Sequence, residues 1–177
     1  GSRSSMSVDR GLIAAPCMST SAGEIESRIR VWRTSDCSVH RDVAVNSPST
    51  ITSLEFAQNH TLYFAAGPVI YSVDVDSGKS VAAHQHTAEI FDIAGHPGEQ
   101  WIAYSDGTTV NVLDCESGQI QCRIPTPISY VQFSWDGDVI AIIERSGPVT
   151  LIELESLLDK AKTSPNATVP LTSQNWQ

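Results

Sequence analysis

Short apolar runs alternate along this chain with polar turns built from Gly, Asp, Ser and Pro. The middle of the chain shows the pattern most plainly. Ile90-Phe91-Asp92-Ile93 reads as an inner strand, and His96-Pro97-Gly98-Glu99 as a turn. Trp101 to Tyr104 is almost wholly apolar, as a strand buried on both faces would be. Ser105-Asp106-Gly107-Thr108 turns the chain again. Val110-Asn111-Val112-Leu113 is a third strand ending at Asp114. Cys115-Glu116-Ser117-Gly118 is the next turn, and Ile120 to Ile124 the fourth strand. The same order repeats. Gly67, Gly107 and Gly147 stand 40 residues apart, each between two apolar runs, the second of which ends at Asp74, Asp114 or Glu153. A period of about 40 residues with several short strands per unit is the signature of a β-propeller blade.

The pattern predicts an all-β chain, a partial propeller of four-stranded antiparallel blades at about 11–47, 48–86, 87–126 and 127–154. Residues 155–177 read as a short helix and tail. In the first unit Leu12 to Cys17, Ile29 to Trp32 and Ser38 to Val45 are strands, with Met18 to Gly23 a loop and no visible first strand. The last unit lacks a fourth strand. Leu154, Leu157 and Leu158 there show helical spacing instead. Residues 1–10 are mostly polar, with Gly1-Ser2 resembling a vector scar, and read as a disordered tag or linker.

Composition sharpens the picture. The hydrophobic fraction of 41% and charged fraction of 18% describe a packed globular domain. A net charge of −9 disfavours nucleic acid as a partner, and no apolar run is long enough to span a membrane. Cys17, Cys37, Cys115 and Cys122 form no Cys-x-x-Cys pair and read as isolated core residues. They suggest no secretion, so an intracellular setting, cytoplasmic or nuclear, is expected. Glycosylation sequons stand at Asn59 and Asn166, a triplet that often arises by chance.

Ile29-Arg30-Val31-Trp32 resembles the end of the third strand of a WD40 repeat. His86 to Ile93, His96-Pro97 and Ser105-Asp106-Gly107-Thr108 resemble the march of that repeat through one blade. Phe133-Ser134-Trp135-Asp136-Gly137 is similar to its first hairpin. The resemblance spans Leu12 to Leu154. It implies a structural hydrogen-bond chain from a strand-three Trp through Ser or Thr and His to Asp. His86, Ser105 and Asp106 match three of those places, but Leu113 stands where the Trp would be. Trp32 matches the Trp in the first unit, and Ile152 replaces it in the last. Val110 to Gly118 and Tyr71 to Gly78 would also suit lactonase-like propellers.

Candidate chemistry is sparse. His84 and His86 share a strand face, with His96 a third imidazole, but no Cys, Asp or Glu completes a metal-ligand spacing. Asp74, Asp76, Asp114 and Glu116 recur at equivalent turns, which makes them turn formers rather than an acid–base pair. No catalytic, cofactor or metal motif emerges. The sequence points to a non-catalytic protein–protein interaction scaffold, with an enzyme carrying an axial metal as the rival. Because too few blades exist to close a ring, the ends need cover from a second copy, from another protein, or from further residues of a longer natural chain, with self-association or a completing partner the expected solution. Trp135, Leu154, Leu157, Leu158 and Trp176 are the candidate interface residues.

Overall fold

The computed structural model describes residues 4–7, 9, 11–21, 24–45, 47, 49–57, 60–127, 129–144, 147 and 149–163. Four antiparallel sheets follow one another in chain order. The first holds β1 (Ser5–Met6), β2 (Leu12–Ser21), β3 (Glu24–Arg33) and β4 (Val39–Ala44). The second holds β5 (Ile51–Phe56), β6 (Thr61–Ala66), β7 (Val69–Asp74) and β8 (Lys79–Gln85). The third is β9 (Asp92–Gly95), β10 (Trp101–Ser105), β11 (Thr109–Asp114) and β12 (Gln119–Pro125). The fourth has only β13 (Ser129–Phe133), β14 (Val139–Glu144) and β15 (Val149–Glu153), after which α1 (Leu154–Thr163) begins. Within every sheet the strands pair in sequence order as a meander.

Three apolar seams hold the sheets together. Ala14, Ile29 and Val31 of the first sheet pack on Leu54, Phe64 and Val73 of the second. Tyr63, Ala65 and Ile70 then meet Ile93, Ile102 and Tyr104 of the third sheet. Val110, Val112 and Ile124 meet Val131, Ile140 and Ile142 of the fourth. The second strands β6 and β10 serve two seams at once, which is why nearly every position in them is buried. Alternate residues of a strand face opposite ways, so such a strand must be apolar throughout. Among the described residues no core cluster joins the fourth sheet to the first.

Several details differ from the sequence-based expectations. Residues 1–10 are not wholly loose: Ser5 and Met6 pair with Ala14 and Ile13, supplying the first strand that periodicity could not reveal. Met18 to Ser21, within the stretch expected as a loop, belong to β2 and pair with β3, with Met18 opposite Ser27 and Ser21 opposite Glu24. Ile90 and Phe91 precede β9 rather than opening it, and Ile90 is a buried plug whose N–H bonds the Gly67 carbonyl. Asn59, Asn166 and Trp176 lie outside the described residues. No helix among the described residues is long and apolar enough to cross a membrane.

Candidate functional site

The inner strands are tied across the seams by side-chain oxygens. Ser5 Oγ accepts the Phe56 N–H at 3.0 Å, linking the first sheet to the second. Ser53 Oγ accepts the Ile93 N–H at 3.3 Å, linking the second to the third. Asp92 Oδ2 accepts the Val131 N–H at 3.0 Å, linking the third to the fourth. The Ser53 hydroxyl also donates to Asp92 Oδ1 at 2.9 Å. Asp92 is only 3% exposed, so its oxygens depend on these donors rather than on water. Sequence reading missed this latch, because it joins residues 39 apart whose spacing says nothing about contact.

Of the four blade-motif residues, His86 and Asp106 meet, with Nε2 and Oδ2 2.9 Å apart. Tyr104, not Ser105, takes the other ring nitrogen, its hydroxyl lying 3.1 Å from His86 Nδ1. The same hydroxyl is 3.2 Å from His84 Nε2. Ser105 is buried, and its Oγ accepts the Gly107 N–H instead. Adjacent strand residues face opposite ways, so a bulky Tyr104 on the seam side reaches His86 while Ser105 points away. Asp106 is pushed up by burial. The N–H of Thr108, the His86 ring, the Thr108 hydroxyl and the Thr109 N–H outweigh that and hold its carboxyl below the usual range. Trp32 belongs to the first sheet, opposite Ile13 and Val39, and takes no part in this cluster. Burial, then the neighbouring His86, holds His84 below the ordinary histidine range.

His96 does not join the other two imidazoles. It packs edge-to-face on Trp101 and Phe133 at the third seam. Its Nδ1 accepts the N–H groups of Gly98 and Glu99, and burial pushes its pKa down. The repeated acids brace turns. Asp74 accepts the Ser77 N–H, while Asp114 accepts the N–H groups of Glu116 and Ser117 and the Ser117 hydroxyl. Asp76 does more, bridging His60 of its own sheet and His40 of the first.

The candidate interface residues divide. Trp135 stands at the tip of the β13–β14 hairpin, 89% exposed. Leu154 and Leu157 are buried in the third seam, and Leu158 packs partly on it. Leu154 and Leu157 cover the chain's own core and are not available to a partner, whereas Leu158 stays partly exposed. Among the described residues no fourth strand follows β15; the chain continues as α1, and its apolar stripe closes the seam against β12.

The larger exposed surfaces are the two outer sheet faces. On the fourth sheet, Tyr130 lies opposite Ile143, and Ile143 opposite Val149; Gln132, Ala141 and Leu151 form the next row. Val149 and Leu151 are 51% and 54% exposed. On the first sheet, Met6, Ile13, Trp32 and Val39 form one row across all four strands. Arg28 and Arg30 lie on the same face, paired with Glu26 and Asp42.

No protein-family model matches the chain, and no curated protein matches it by sequence. Among solved structures, a chain of the crystal structure of the mitotic checkpoint complex superposes with a TM-score of 0.69 at 13% identity. The match covers 85% of this chain and 47% of that one. The fold is a partial WD40-like β-propeller. This chain spans about half the length of that neighbour. In all, 686 solved chains match, so a fold this widely shared does not by itself assign a role.

Proposed function

We propose that the chain is a non-catalytic protein–protein interaction scaffold, a half-propeller whose open ends are completed by another protein surface. The observation that carries this reading is the pair of uncovered apolar sheet faces at the ends of the arc. Each internal sheet buries both faces, whereas Val149, Leu151, Tyr130 and Ile143 at one end, and Met6 and Val39 at the other, remain in water. Monomers rarely tolerate contiguous apolar patches beyond a few hundred Å². Among the described residues, edge strand β15 also has a side with no strand paired to it in the fourth sheet, a template for a donated strand. The hairpin tip with Trp135 is a second docking point, because exposed Trp residues are enriched among the dominant contacts of interfaces.

Similarity to a chain of a multi-protein complex supports this by analogy. A non-catalytic role is further supported by the axial carboxylate Asp92, which is spent on Ser53 and Val131. The four cysteines are free thiols, which suits a reducing intracellular compartment. Native mass spectrometry of the purified chain, alone and after incubation with cell extract, tests the proposal. A stoichiometric complex, with itself or another protein, is expected. A monomer that recruits nothing and stays soluble at high concentration would remove the basis for it.

A further inference from the structure

We infer that two copies of this chain close head to tail into one ring, the outer face of the fourth sheet of each packing on the outer face of the first sheet of the other. This rests on the scaffold reading and names the partner. All three internal seams join the leading face of one sheet to the trailing face of the next. The two free faces are one of each kind. They can therefore meet in the same sense as the internal seams, in a heterologous contact that a two-fold rotation closes.

Two observations favour a second copy over a foreign chain. A foreign protein must cover two unlike faces at opposite ends of the arc, whereas a second copy covers both with surfaces already present. The neighbour of known structure matches this chain over 47% of its own length, so two copies supply about one neighbour's worth of chain and eight sheets, four from each.

Sedimentation and native mass spectrometry across micromolar concentrations should give a particle of twice the 19.1 kDa chain mass. Leu151→Asp, at one end, and Trp32→Asp or the more exposed Val39→Asp, at the other, should each yield monomers with unchanged circular dichroism. Mixing Leu151→Asp with Val39→Asp should restore a dimer, because one intact face remains on each. A dimer that survives both first-sheet variants would overturn the head-to-tail arrangement. A monomeric wild-type chain that forms a stoichiometric complex with a different protein overturns self-closure but leaves the scaffold reading standing. A monomer with no partner removes both.

Discussion

Asp92→Ala should be among the most damaging single changes in the chain, although the residue touches no ligand. Its carboxyl group accepts the Ser53 hydroxyl and the Val131 N–H within a region closed to water. Alanine strands both donors. Each buried donor left without a partner costs roughly 1–3 kcal/mol, so the pair predicts a loss of about 4 kcal/mol. For a chain of this size that lowers Tm by roughly 8–16 °C. Asp92→Asn is the informative companion. Its amide oxygen can still accept the Val131 N–H, and the Ser53 hydroxyl can rotate to accept from the amide, so a loss of about 1–2 kcal/mol is expected. Urea unfolding followed by circular dichroism measures both, with half-buried Asp114→Ala as the turn control. If Asp92→Ala unfolds within about 1 kcal/mol of wild type, the inner strands are not latched in this way and the seams rest on apolar contact alone.

Leu157→Ala, at a buried position on α1, should cost about 2–4 kcal/mol in the same assay, since it opens a cavity in the third seam. Trp135→Ala should change stability by no more than about 0.5 kcal/mol. It should weaken capture of any stoichiometric partner held by wild type by about 30-fold, read by a binding titration. Acidification should destabilise the protein as pH falls below about 6.5, the ordinary histidine value. The fold holds His96 and His84 neutral, so the unfolded chain takes up the extra protons first. His60 opposes this trend, because its bond to Asp76 raises its pKa and its contribution is lost as pH rises. His96→Asn keeps an acceptor near Gly98 and Glu99 but cannot titrate, so its urea midpoint should vary less between pH 7.5 and 5.5 than that of wild type, if ~1 proton is linked there. An unchanged pH dependence would refute that assignment.

Strands were legible in this sequence wherever burial on two faces forced continuous apolar runs, as in Leu62 to Ala66 and Trp101 to Tyr104. Turns were legible where backbone geometry demanded glycine: Gly67 and Gly107 do adopt positive φ, at 61° and 89°. Gly147 keeps the 40-residue spacing but is not among the positive-φ glycines, so the period there reflects repeat length rather than conformation. A two-residue strand such as Ser5–Met6 has no period to detect. The choice of Tyr104 over Ser105 as the partner of His86 depends on which side of β10 faces the second seam, and an apolar run hides that parity. Amphipathic spacing revealed α1 itself. It could not say that the stripe turns inward, because that depends on a groove made by β12 and β15, elements distant in sequence from each other.

The direction of the inner-strand bonds constrains any sheet that completes the ring. Ser5, Ser53 and Asp92 each offer an oxygen forward to a backbone N–H of the following inner strand, so every sheet but the last satisfies a donor belonging to its successor. Tyr130 occupies the place of Ser53 and Asp92 in the fourth sheet, four residues before the N–H that closes the first hairpin, as the Ala57, His96 and Ser134 bonds show. It therefore places a larger side chain toward the next position in the ring. A completing surface has to accommodate that ring and bring an apolar face broad enough to cover Ile143, Val149 and Leu151 together. A single extended peptide pairs with the edge of a sheet and leaves most of its face open. A packed sheet covers the face, as the three internal seams do, and for that reason the closing partner is expected to be propeller in kind, whichever chain contributes it.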